Sequence, residues 1–242
     1  MKKILKTILI LLYCLLLAML TYLGDYYRAD LNALQALESD QNMKIVETND
    51  AIIFIPLEAN WQTGLIFYPG GKVAPEAYAP LIRRIAENGV ITVIAKMPFN
   101  LAVLNLEAAS KVMAMDEVND IKNWYMAGHS LGGSMASDYA VSNSDMIQGV
   151  ILMGAYPNKS SAESGLSYLA ITGSEDQIVN RESFAAAIWP ENTEFQTIDG
   201  GNHSYFGDYG LQEGDSPGSV SRDQQQQMTA LWIDSFIKET NQ

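Results

Sequence analysis

The chain has 242 residues, which is enough for one ordinary domain with an appendage. Hydrophobic residues make up 48% and charged residues 18%, so a large core is available and wholesale disorder is excluded. The formal net charge is −13, and no Lys/Arg run exists beyond the extreme N-terminus, which argues against nucleic acid or an anionic membrane surface as partner.

The first segment, "MKKILKTILILLYCLLLAMLTYLG", sets Lys2, Lys3 and Lys6 ahead of an apolar run from Ile8 to Leu23. This is the pattern of an export signal. A small-x-small cleavage site is hard to find, because Tyr22 stands at the first position of the candidate before Asp25. Cys14 does not suit a lipoprotein, since Tyr13 precedes it and it lies mid-run. Residues 1–24 are therefore expected to be an uncleaved anchor, lysines inside and the remainder extracytoplasmic. The alternative is a cleaved signal peptide and a secreted protein. Cys14 is the only cysteine, so an intramolecular disulfide and a cysteine-based metal site are excluded.

Residues 25–43 place Leu31, Leu34 and Leu37 at helical spacing among polar residues, which predicts a stalk or linker helix. From residue 44 to 242 the pattern alternates. "KIVET" and "AIIFIPL", separated by Asn49-Asp50, read as a β-hairpin. "GLIFY" is a strand followed by "PGGK", and 75–87 has helix spacing. "VITVIA" is a buried strand, 107–115 a helix, "WYMAG" a strand and 131–141 a helix. "GVILMG" and "LAIT" are strands with no room for a long helix between them. A short helix over 184–188, the strand "EFQTI" and a closing helix over 224–238 complete the series. The run "DQQQQM" is expected to be a solvated helix face. Apolar strands alternating with helices predict an α/β fold. Its sheet is doubly wound and mostly parallel, with an N-terminal antiparallel hairpin and helices on both faces.

Within this frame "MAGHSLGGSM" contains Gly128-His129-Ser130-Leu131-Gly132. A Gly-x-Ser-x-Gly match arises by chance in about one chain in ten of this length. Its setting between a strand and a helix is what marks Ser130 as a nucleophile on a strained corner, with Gly128 and Gly132 leaving room for the close turn. Gly132, Ala136 and Ala140 give the helix a small-residue stripe for packing on the sheet.

A serine hydroxyl needs a base. His129 adjoins the serine and should point away from it, as a packing group. His203, on the loop after the last strand, is the candidate base. The acid that orients it is expected past "LAIT", where Asp176 is chosen over Glu175. The order Ser130, Asp176, His203 is that of α/β-hydrolases. Two N–H groups should form an oxyanion hole: Leu131 at the helix start, and Gly71 in "PGGK", with Lys72 as the alternative.

Together the stretches "YPGGKVAPEAYAPL", "AKMPFNLAVLN", "AGHSLGGSMASDYA", "TGSEDQI", "GGNHSYFGDYGLQEGD" and "VSRDQQ" resemble the α/β-hydrolase superfamily. The chain looks closest to its α/β-hydrolase fold-5 family, the dienelactone-hydrolase-like branch. The resemblance spans about residues 61–228 and implies Ser130, Asp176 and His203 as nucleophile, acid and base. Dienelactone hydrolases carry cysteine at the nucleophile, so serine here speaks against that activity.

The expected function is a serine hydrolase of carboxylesterase type, cleaving small ester or thioester bonds through an acyl-serine, with no cofactor or metal. The alternatives are an acyltransferase with the same triad and a silent binding protein. No large lid domain is expected, because only 156–167 is available for one. The Gly-rich segment 207–220 is expected either to fold over the base as a rim or to form a disordered surface loop.

Overall fold

The computed structural model describes residues 2–58, 62–158 and 161–241. A single 23-residue helix, α1 (Lys2–Gly24), opens the chain. At 1.5 Å per residue it is about 34 Å long, against about 30 Å for a bilayer's hydrocarbon core. No part of its apolar stretch is buried against the rest of the protein.

An eight-stranded sheet follows. Its strands are β1 (Met43–Glu47), β2 (Ala51–Pro56), β3 (Thr63–Tyr68), β4 (Ile91–Ala95), β5 (Asn123–His129), β6 (Ile147–Met153), β7 (Ser167–Gly173) and β8 (Thr193–Ile198). Their order is β1-β2-β4-β3-β5-β6-β7-β8. The hairpin β1–β2 is antiparallel and joins β4 antiparallel, while β3 to β8 pair in parallel. This is the expected doubly wound α/β architecture with its antiparallel edge.

Alternation along β3 shows why the sheet must be covered twice. Leu65 and Phe67 face one core with Ile82, Ile85, Ile233 and Phe236. These belong to α3 (Ala79–Ala86) and α7 (Arg222–Thr240). Ile66 and Tyr68 face the other core with Val112, Ala136, Tyr139 and Ala140, from α4 (Ala108–Met113) and α5 (Leu131–Ser142). The helix expected over 75–87 is a 3₁₀ turn, Pro75–Tyr78, running into α3. The short helix before β8 is Arg181–Ala186 (α6), which takes in Phe184 but ends before Ile188. The connection between β6 and β7 carries no helix among its described residues; residues 159 and 160 lie outside them.

Two expectations fail for identifiable reasons. Residues 25–43 do not stand off as a stalk. Only Leu31–Gln35 (α2) is helical, and Leu31 and Leu34 are exposed, whereas Ala33 is buried. The segment is held on the domain by polar contacts that hydrophobic spacing does not reveal. Tyr27 N donates to Lys72 O (2.8 Å), Ala74 N to Tyr27 O (2.9 Å), and Asp30 N to Asp208 O (2.9 Å). The glutamine run is also not simply solvated: Gln225 and Gln226 are buried. Gln224 closes a capping box with Ser221 at the start of α7.

Candidate active site

Register places the site. Tyr68 on β3 pairs with Gly128 on β5, His129 with Met153 on β6, and Gly173 on β7 with Ile198 on β8. The carboxyl ends of these parallel strands therefore align, and Gly71, Ser130, Asp176 and His203 all lie on turns leaving that one edge. Ligands of open parallel sheets bind there.

Ser130 joins β5 to α5 directly, with φ 52° and ψ −127°. Left-handed φ is costly for a residue with a Cβ, and the surroundings must enforce it. Its N–H donates to Met153 O at 2.9 Å. The glycines allow the close approach. A Cβ on Gly128 would lie 2.6 Å from the Gly132 carbonyl carbon, and one on Gly132 would lie 2.2 Å from the Tyr68 and Pro69 oxygens. Thus the small-residue stripe lets the helix start sit against the backbone of the turn leaving β3.

His203 Nδ1 is 2.9 Å from Asp176 Oδ2, and both side chains are buried. The other oxygen of Asp176 accepts the N–H groups of Ile178 and Val179, each at 2.8 Å. Burial raises the pKa of Asp176. The hydrogen bond and charge of His203, with those two N–H donors, outweigh it and leave the carboxyl below its ordinary value. Glu175, the alternative acid, turns away and accepts from Ser219. His203 Nε2 is buried and has no partner among the described residues. It lines, with Ser130, Leu131, Gly154 and Tyr156, a cavity of about 280 Å³. Two larger hollows elsewhere, of about 500 and 510 Å³, are lined by neither Ser130 nor His203.

The N–H groups of Leu131 and Gly71 meet no acceptor among the described residues. The Gly71 Cα is packed on Leu131, where a Cβ would lie 2.9 Å from Leu131 Cδ2. Lys72, the alternative donor, is excluded: its N–H already donates to Asn100 O at 2.8 Å. Its ammonium is paired with Asp25 at 3.2 Å.

Supporting residues emerge that the sequence did not single out. Tyr78 is buried, and its hydroxyl accepts from Gly70 N (3.1 Å) and lies 2.8 Å from His129 Nδ1. It pins the loop carrying Gly71 to the strand carrying Ser130. His129 does face away from the serine, packing its ring 4.4 Å from that of His203. Burial, then the neighbouring His203, holds its pKa well below 6.5, so it stays neutral. Gln225 clasps the backbone of Asn202, accepting its N–H (3.0 Å) and donating to its carbonyl (2.8 Å). Asp215 accepts from the N–H and hydroxyl of Ser204. The residues on both sides of His203 are thereby fixed. Arg181 gathers the carbonyls of Gly173, Ser174 and Asp176.

The segment 207–220 is therefore a brace more than a rim. None of its residues lines the Ser130 cavity. Asp208 is buried and accepts from Asn32, Arg222 and Gln226. Only Gln212 and Glu213 reach a further hollow of about 440 Å³, beside Gly71 and Lys72. No cluster of three or more His, Cys, Asp or Glu placed to hold a metal ion occurs among the described residues.

A strained serine between strand and helix, at the carboxyl edge of a mostly parallel eight-stranded sheet, defines the α/β-hydrolase class. The model described as "Alpha/beta hydrolase family" matches residues 64–227, and the chain belongs to that family. Solved structures share the fold. A carboxyl esterase 2 from the fungus Tuber melanosporum superposes with TM-score 0.60 at 12% identity, over 89% of this chain and 91% of that one. A dienelactone hydrolase from Anabaena variabilis gives TM-score 0.57 at 13% identity, over 80% of this chain and 98% of that one. Comparison with curated proteins gives no match.

Proposed function

We propose that the protein is a serine hydrolase of carboxylesterase type, held at a membrane by α1 with its catalytic domain extracytoplasmic. The observation that carries the reading is the buried His203–Asp176 pair, whose free Nε2 shares a cavity with Ser130. Nε2 takes the Ser130 proton as Oγ forms its bond to the acyl carbon. The N–H groups of Leu131 and Gly71 stabilise the oxyanion, aided by the positive end of α5. The ester C–O bond then breaks, and the leaving alkoxide receives the proton from His203. Water, deprotonated by His203 in turn, cleaves the acyl-serine to the acid and restores Ser130. Asp176 holds the imidazole in the required tautomer throughout.

Ser130 Oγ makes no hydrogen bond to His203 Nε2; the reaction brings the two together when the acyl carbon is attacked. Treating the full-length protein with a fluorophosphonate probe tests the reading. Labelling of wild type that disappears in Ser130→Ala supports it, and an unlabelled wild type rules it out. The lysines at the start of α1 and the length of that helix support the anchor. A protease-protection assay on intact cells checks the side on which the domain lies.

A further inference from the structure

The chain leaves almost no distance between the apolar helix and the catalytic loop. α1 ends at Gly24, and Tyr27, three residues on, is already hydrogen-bonded on both its N–H and carbonyl to Lys72 and Ala74. Three residues span at most about 11 Å. Gly71, the proposed oxyanion donor, directly precedes Lys72. Side chains tighten the junction further. The Lys72 ammonium lies 4.3 Å from the centre of the Tyr22 ring and 3.2 Å from Asp25. A cation there also faces the negative end of α1.

The surface around this junction combines a cation, tyrosines and exposed apolar side chains. Lys72 N is bonded to Asn100 O, on a loop where Phe99 and Asn100 both hold positive φ, 53° and 57°. That loop exposes Phe99 (57%), Val103 (49%) and Leu104 (54%). The hollow lined by Asp25, Tyr26, Tyr27, Gly71, Lys72, Gln212 and Glu213 opens at the same place. Gly71 on its wall is packed against Leu131, which lines the Ser130 cavity. Tyrosines at a helix end and apolar side chains on an adjoining loop are what a membrane–water interface accommodates.

Resting on the serine-hydrolase and anchor readings above, we infer that the mouth of the active site is apposed to the bilayer that holds α1. Its substrate is then a single-chain amphiphilic acyl ester residing in that bilayer's interface. The Ser130 cavity, about 280 Å³, lies just under the usual range of ligand sites, so it takes the ester group and the first carbons of a single chain while the rest of that chain stays in the interface. The ester reaches Ser130 past Gly71 without leaving the interface. Its acyl group passes to Ser130 and then to water, with the proton movements given above.

The test uses full-length protein in phosphatidylcholine vesicles and two esters with one leaving group. These are 4-methylumbelliferyl oleate, which partitions into the bilayer, and the water-soluble butyrate. A Gly/Ser insertion of about 20 residues between Gly24 and Asp25 lifts the domain by an r.m.s. distance of about 25 Å and keeps Asp25 and the Tyr27 hydrogen bonds that hold Lys72 and Ala74. The expected result is an oleate-to-butyrate rate ratio lowered about tenfold or more by the insertion, with butyrate turnover unchanged. An unaltered ratio overturns the inference, as does wild type that cleaves butyrate but not oleate, or a chain recovered without α1. Failure of both esters and of fluorophosphonate labelling instead removes the hydrolase reading, and this inference with it. A second measurement is independent of catalysis. In a Cys14→Ser background, Phe99→Cys carrying an environment-sensitive dye should blue-shift on reconstitution and lose that shift with the insertion. A dye that reports water in both cases overturns the inference.

Discussion

His203 Nδ1 lies 2.9 Å from Asp176 Oδ2, and neither side chain is open to solvent. Asp176 gains two further N–H donors on its other oxygen, so the carboxylate is built to stay ionised while it orients the imidazole. Asp176→Asn should lower kcat/KM for an ester by about 10³–10⁴-fold, because the amide supports the wrong tautomer. The folded-state pKa of Asp176 is depressed below 3.8. Its stabilising contribution is therefore complete above that value and is lost as pH falls through the folded value. The Tm gap between wild type and Asp176→Asn should be constant near neutrality and narrow below about pH 4. A gap that widens on acidification would contradict the assignment.

Gly154 has φ +52°, and a Cβ there would lie 2.8 Å from His203 Nδ1 and 3.2 Å from Asp176 Oδ2. Gly154→Ala should cost about 1–2 kcal/mol for the left-handed backbone alone. It should also reduce kcat well beyond what the lost stability explains, because His203, the proposed base, is displaced. Thermal unfolding together with kinetics on the folded fraction separates the two effects.

Gly132→Ala sets a methyl group against the Tyr68 and Pro69 carbonyl oxygens, both of them backbone. Overpacking typically costs about 1–3 kcal/mol where side chains can yield. Here the loop after β3 must move, so denaturant unfolding should show a loss at or above the upper end of that range. Ala136, one turn further along α5, should tolerate serine better.

Tyr78→Phe removes the hydroxyl shared by Gly70 N–H and His129 Nδ1. Leaving those buried groups unpaired should cost about 1–3 kcal/mol. Loosening the Gly71 loop should lower kcat more than it raises KM, since the oxyanion donor proposed there acts in the transition state. Steady-state kinetics with a short ester reads this split.

Gln225→Leu keeps the volume in α7 but releases both backbone groups of Asn202. We expect about 1–3 kcal/mol of destabilisation. Hydrogen exchange should rise at the His203 loop and leave β5 and β6 protected. Uniform exchange across the sheet would mean that Gln225 holds the helix rather than the loop.

The three residues proposed as a triad could be picked out in the sequence because each leaves a local trace. Ser130 has flanking glycines between a strand pattern and a helix pattern. Asp176 follows an apolar strand, and His203 is one of only two histidines in the chain. The bracing groups leave no such trace. Gln225 and Gln226 read as a polar run, and their burial depends on how α7 docks under the loop after β8. Tyr78 looks like one more apolar helix position, and its hydroxyl acquires a task only when β3 and β5 lie side by side.

Residues 25–43 make the same point from the other direction. Their leucine spacing suggested a free helix, but the segment is tied down by backbone pairing at Tyr27 and by Asp30 and Asn32, which meet Arg222 and Asp208. Those partners are nearly two hundred residues away in sequence.

Hydrophobic periodicity and turn chemistry are local, so the chain by itself determined the order of strands and helices, the serine corner and the apolar leading helix. Which oxygen receives which proton is a non-local matter. Tertiary structure alone decided that Asp176 rather than Glu175 faces His203 and that the Lys72 N–H is already engaged. It also decided that the end of α1 lies beside the loop carrying Gly71 and Lys72, because each of these depends on strands distant in sequence aligning their carboxyl ends.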